Sequence, residues 1–158
     1  MVAKPRQTDQ RTDDRIEIYD VMVRYCHGVD RRNFDMVASC FASDAKADYR
    51  GQPCRDLDEI MEHCRGITQV PVSTHFIGNQ LVQFQGDVAQ IETYAIAYLW
   101  RGQVGNQSET RNGLRYLDEM VQRDGSWVIR RRKLVCDWTR TDSVPPGPAP
   151  LPEGRMPQ

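Results

Sequence analysis

The chain has 158 residues, with 21 lysines and arginines set against 22 aspartates and glutamates, for a formal net charge of −1. That length suits one domain with a full hydrophobic core, and the balanced charge argues against nucleic acid or an anionic membrane surface as partner. Apolar runs are too short to cross a bilayer and the first residues, Met1 to Arg6, lack the apolar core of a signal peptide, so a soluble, cytoplasmic protein is expected. Cys26, Cys40, Cys54, Cys64 and Cys136 are scattered and form no CxxC pair, which disfavours a disulfide framework or a zinc cluster. Cys54, His63 and Cys64 read as part of a half-buried helix rather than as metal ligands. The expectation is therefore no cofactor and no metal.

In chain order, residues 1–8 are polar and expected to be loose. A helix is predicted from about Thr12, with Ile16, Tyr19, Val23 and His27 at helical spacing and Met22, Tyr25 and Val29 on the flank. Its end is placed at Gly28, a residue suited to a left-handed stop, with Asp30 immediately beyond. A second helix covers Phe34 to Cys40, a short strand carrying Tyr49 covers Ala45 to Arg50, and a third helix covers Leu57 to Arg65. After Pro71 the pattern turns to strand: Thr74 to Phe84, Val88 to Arg101, Arg111 to Arg123 and Trp127 to Arg140. Gly86-Asp87 and Asp124-Gly125 mark hairpin turns, and Gly102 to Ser108 a polar loop. In the last strand the apolar phase slips from odd positions (Trp127, Ile129) to even ones (Leu134, Cys136, Trp138), which requires a bulge. The domain is expected over 1–143, followed by a proline-rich flexible tail over 144–158.

Helices followed by long antiparallel strands give an α+β class. A strongly curved, mostly antiparallel sheet over the N-terminal helices would make a cone-shaped α+β barrel with an open mouth, a natural small-molecule site. His75 leads a strand in which His75, Ile77, Asn79 and Leu81 share one face. Imidazole titrates nearest neutrality and suits proton abstraction, and a carboxylate on one ring nitrogen would fix its tautomer. The plainer readings are that Asp30 caps the next helix and that His75 is a satisfied core histidine. His27, three residues before Asp30, reads as packing or as a helix C-terminal cation. Tyr25 and Tyr49 can donate phenolic protons or simply fill the core. Asn79 ties backbone or orients substrate, Trp100 and Trp138 are wall or core, and Arg140 stands at the mouth to hold an acidic group. Arg130 to Lys133 reads as a solvated edge.

The Gly28-Val29-Asp30 helix end with Phe34-Asp35 after it, the His75-Phe76-Ile77-Gly78-Asn79 strand, Arg123-Asp124-Gly125-Ser126-Trp127 and Asp137-Trp138 carry a resemblance. Over roughly residues 10–142 the chain resembles the SnoaL-like members of the nuclear transport factor two superfamily. That superfamily includes ketosteroid isomerases, polyketide cyclases, scytalone dehydratase, hexachlorocyclohexane dehydrochlorinase and a bile-acid dehydratase, and also proteins without catalysis. The resemblance implies an Asp–His dyad at Asp30 and His75, with Tyr49 and Tyr25 on the positions of further catalytic tyrosines. The lysine of the dehydrochlorinase has no counterpart near Tyr25, and the second histidine of scytalone dehydratase is missing. The ketosteroid isomerase base sits on a later strand, so Asp30 does not take its part.

The expected function is a cofactor-independent lyase, eliminating water from a hydrophobic cyclic or polycyclic hydroxylated small molecule. An isomerase, a polyketide cyclase or a non-catalytic binding module are the alternatives. The concave face is expected to supply Ile77, Tyr94, Tyr98, Tyr116 and Trp138, with Asn79 and Arg140 as polar contacts. Apolar residues on both faces of the long strands, together with the resemblance, imply a homo-oligomer, a dimer or trimer.

Overall fold

A computed structural model describes residues 8–103 and 106–144. Of the expected loose N-terminus, 1–8, and proline-rich tail, 144–158, residues 1–7 and 145–158 lie outside the described residues, while Thr8 opens the first helix and Val144 closes the last strand. The order is α1 (Thr8–Arg31), α2 (Phe34–Ser39), β1 (Phe41–Tyr49), β2 (Gln52–Cys54), α3 (Leu57–Arg65), a 3-10 turn (Gly66–Gln69), β3 (Val72–Gln85), β4 (Val88–Gln103), β5 (Asn106–Arg123) and β6 (Ser126–Val144). The strands form one sheet in the order β2-β1-β6-β5-β4-β3. Every pairing is antiparallel except β1 with β6, so the class is α+β as expected. The sheet is open rather than a closed barrel, with β2 and β3 as its two edges. Helix α1 packs across β3 and β6, and α3 covers β1 and β2. Much of the expected loop at 102–108 is strand, since β4 runs to Gln103 and β5 starts at Asn106.

Two features of α1 depart from the sequence reading. The helix does not stop at Gly28 but continues to Arg31, and Arg32 takes the left-handed turn at φ 57°. The Asn33 amide donates to the Gly28 carbonyl at 2.8 Å and the Arg32 amide to that of Val29 at 3.3 Å, a Schellman closure around an arginine. Gly28 is small for a different reason: a Cβ there would lie 2.7 Å from Cγ2 of Val37, so glycine lets α1 and α2 approach. Asp30 is therefore inside the last helical turn, and Asn33, not Asp30, caps α2 by accepting from the Met36 amide. At the other end, Trp127 ties β6 to α1, its indole N–H donating to Asp14 and its amide to Glu17, both at 2.9 Å.

The sheet curves through bulges. Strand β6 has two, where its register on β5 shifts between Glu119 and Met120 and again between Gly113 and Leu114. The first carries the inward set from Trp127 and Ile129 to Arg132, Leu134 and Cys136, as the phase slip required. The second, at Asp137, returns it to odd positions, so Thr139 pairs with inward Asn112 while Trp138 turns outward over Gly113. A third shift, between Ile77 and Gln80, breaks the expected face of β3: Val82 points in, whereas Leu81 is 60% exposed and Asn79 lies exposed in the bulge.

Candidate active site

The end of α1 and the start of β3 meet over one carboxylate. Asp30 Oδ1 accepts from His75 Nδ1 at 2.7 Å and from Ser73 Oγ at 2.8 Å, while Oδ2 accepts from the His75 backbone amide at 2.7 Å. Ser73 and His75 share a strand face because they are two residues apart. Arg32 braces the junction: its guanidinium donates to Ser73 Oγ at 2.9 Å, to the Asp30 carbonyl at 2.5 Å and to the Val70 carbonyl at 2.5 Å. Burial pushes the Asp30 pKa up, but the hydrogen bonds from His75 and Ser73 and the attraction to His75 outweigh it, leaving the carboxyl below its ordinary value. An ionised Asp30 keeps the proton on His75 Nδ1, so Nε2 is the ring nitrogen with a free lone pair.

His75 lines a cleft of about 740 Å³. Further lining groups come from α1, β1 and α3: the hydroxyls of Tyr25 and Tyr49 lie 3.9 Å and 3.7 Å from Cys64 Sγ, and the His63 ring stacks on Tyr49 at 4.0 Å. Burial holds the Tyr25, Tyr49 and Cys64 pKa values above their ordinary values, so all three keep their protons and serve as donors. The same desolvation pushes the His63 pKa down. Tyr116 lies edge-on to Tyr25 at 5.8 Å, and Val70, Leu99, Leu114 and Leu134 supply apolar wall.

The structure thus brings Asp30, His75, Tyr49, Tyr25 and Tyr116 together around or beside one cleft and leaves the other expected site residues elsewhere. Ile77 packs against the core without lining the cleft, and Asn79 is carried away by the β3 bulge. Tyr94, 50% exposed, Tyr98 and Trp138, 48% exposed, stand on the outer sheet face. Inward β4 positions are Ala89, Ile91, Thr93, Ala95 and Ala97, so the strand's large side chains point away from the helices. Arg140 is outward as well, paired with Asp142. His27 is exposed and makes no bond to Asp30.

Sequence reading missed Arg132. Instead of a solvated edge, its side chain is 0% exposed, paired with equally buried Asp118 at 2.7 Å and lying over the rings of Tyr25 and Tyr116. Its Nη1 is the one buried side-chain nitrogen or oxygen among the described residues without a partner. Desolvation lowers the Arg132 pKa, yet the Asp118 charge and hydrogen bonds raise it further, so the ion pair persists. Ser73 was missed as well, since the expected strand began at Thr74, although its place two residues before His75 puts it on the same face. Arg132 was missed within its basic run, although the odd-to-even slip of the last strand puts it in phase with Leu134 and Cys136. Among the described residues no group of His, Cys, Asp and Glu could hold a metal ion, and no helix is long and apolar enough to cross a membrane.

The sequence matches the profile of the SnoaL-like domain family over residues 10–133. It is 31% identical over 130 residues to the uncharacterized protein Rv2910c of Mycobacterium tuberculosis, covering 78% of this chain and 86% of that protein. The chain belongs to the SnoaL-like domain family. Among solved structures, it is similar to a protein of Novosphingobium aromaticivorans provisionally named a scytalone dehydratase, with TM-score 0.75, 20% identity and coverage of 92% of this chain and 100% of that one. It is also similar to the hexachlorocyclohexane dehydrochlorinase LinA-type3 of Novosphingobium barchaimii, with TM-score 0.72, 18% identity and coverage of 83% and 91%. At these identities the likenesses show the fold.

Proposed function

We propose that the protein is a cofactor-independent lyase that eliminates water from a hydrophobic cyclic or polycyclic hydroxylated molecule. The observation that carries this reading is the 2.7 Å contact of Asp30 with His75 Nδ1, which leaves Nε2 as the other ring nitrogen of a residue whose cleft is also lined by Tyr25 and Tyr49. Nε2 takes the proton beside a substrate carbonyl, and that C–H electron pair becomes the new C=C bond. The C–O bond breaks toward an oxygen that accepts hydrogen bonds from Tyr49 and Tyr25, whose high pKa values suit donors rather than bases. The imidazolium proton then passes to that oxygen, water leaves and His75 is neutral again. Asp30 stabilises the imidazolium in between. The dehydratase and dehydrochlorinase of similar fold support an elimination here.

The test is a library of hydroxylated steroids and aromatic polyketides, screened by thermal shift, with each binder followed by proton NMR for a new vinyl signal. Turnover by the wild type and a loss of about 10²–10⁴ in His75→Gln is expected. Tight binders that stay unchanged, or a His75→Gln variant as active as wild type, would overturn the reading in favour of a binding module.

A further inference from the structure

Arg140 does not stand at the mouth, but two other arginines line the cleft: Arg50, from the turn between β1 and β2, and Arg101, from β4. Elsewhere on the sheet Arg111, Arg115, Arg130, Arg131 and Arg132 each meet a carboxylate. The guanidinium groups of Arg50 and Arg101 have no hydrogen bond or ion pair among the described residues. Arg50 is also held at φ 60°, followed by Gly51 at φ 86°, as the first residue of a two-residue turn between paired Tyr49 and Gln52. Asn, Asp or Gly is the usual choice there, because a left-handed backbone costs other residues. Arg50 lines the cleft from that turn.

The neighbouring groups lean the same way. Buried Asn112 lines the cleft with its Oδ1 already accepting from Thr139 Oγ1 at 2.8 Å, which leaves the amide NH₂ as the part free to donate. Glu62 is the one carboxylate among the lining residues and forms no ion pair with either arginine. The lining is therefore rich in donors and net positive in a chain whose overall formal charge is −1. A guanidinium matches carboxylate and phosphate oxygens with a planar fork, and those of Arg50 and Arg101 are exposed, so a ligand reaches them without displacing a protein partner.

We infer that the ligand of this cleft is an apolar molecule bearing an anionic oxygen group, carboxylate or phosphate, bound by Arg50 and Arg101. Only the fate of the apolar part rests on the elimination reading; the anion site stands on the arginines. The test is calorimetric titration of the full chain with naphthoate, naphthyl phosphate and neutral naphthamide, which share one ring system. An anion should bind about tenfold tighter than the amide, and the tighter of the two anions assigns the group. Arg50→Gln with Arg101→Gln should erase that preference and leave amide affinity unchanged, whereas Arg140→Gln should keep it. Each single substitution should remove part of the preference, which carries the test if the double variant melts early. Equal affinity for all probes, no binding at millimolar concentration, or a preference that survives the substitutions overturns the inference. If the wild type binds the anions with this preference while it turns over no substrate, the elimination reading fails and the anion site stands.

Discussion

The two faces of the sheet are built from the same strands and do opposite things with size and charge. On the inner face β4 contributes Ala89, Ile91, Thr93, Ala95, Ala97 and Leu99 and none of its aromatic side chains, and the space left is occupied by α1 and by the cleft. On the outer face the large side chains are displayed: Phe76 is 67% exposed and Leu81, Tyr94 and Trp138 stand beside it. Charges divide similarly. The outer hollow of about 520 Å³ includes Glu92, Glu119 and Arg131, and its carboxylates are matched by Arg115, Arg130 and Arg131. The inner face carries one fully buried pair, Arg132 with Asp118, one carboxylate committed to a histidine, and two arginines left open. A cavity is thus signalled by small residues on one strand face, and a functional site by groups whose partners are chosen rather than averaged.

Activity should break the comparison most sharply. His75→Gln is expected to lose about 10²–10⁴ in turnover, while Trp138→Ala on the outer face should leave it unchanged; comparable losses from both would mean that the faces are not functionally distinct. For stability, Asp118→Ala strands a buried guanidinium and should cost about 3–5 kcal/mol by urea denaturation. Exposed Asp137→Ala, which leaves half-buried Arg115 its second partner Glu92, should leave the urea midpoint unchanged. We propose, as the strands' apolar residues led us to expect, that the outer face meets another copy of the chain. Light scattering should give a multiple of the chain mass that falls in Phe76→Ser, and a single-chain mass in the wild type refutes it. Gly113→Ala would put a Cβ 2.1 Å from the Trp138 indole nitrogen; about 1–3 kcal/mol of destabilisation and a changed tryptophan emission are expected.

The smallest effect is on pH. The folded Asp30 carboxyl has a depressed pKa, so its contribution is complete above the unfolded value of about 3.9 and fades as pH falls through the folded one. Asp30→Asn should therefore flatten the stability curve below about pH 4 and not the neutral region. Equal acid sensitivity in both proteins would show that Asp30 is not held by His75 and Ser73.

What could be read in the sequence was what depends on local pattern. Helix and strand order, the hairpin turns at Gly86 and Asp124, and the odd-to-even slip in the last strand follow from periodicity and turn chemistry. The meeting of Asp30 with His75 came from family motif positions, since no local pattern links residues 45 apart. What failed was facing. A bulge flips every later side chain, and the bulges at Ile77/Gln80 and Gly113/Leu114 leave no mark in composition, so Asn79, Trp138 and Arg140 were placed on the wrong side. Tyr94 and Tyr98 were misplaced because bulk was taken to face the cavity. Gly28 was read as a stop because its close contact with Val37 is a tertiary fact.

The proton-transfer role assigned to the inner face depends on which nitrogen of His75 carries the proton. Nitrogen-15 NMR of the imidazole in the full chain near neutral pH reports this directly, with His27→Gln and His63→Gln variants to assign the signals. The prediction is a neutral ring protonated at Nδ1, with Nε2 showing the shift of a free lone pair, and loss of that bias in Asp30→Asn. A ring protonated at Nε2, unchanged by Asp30→Asn, would contradict it.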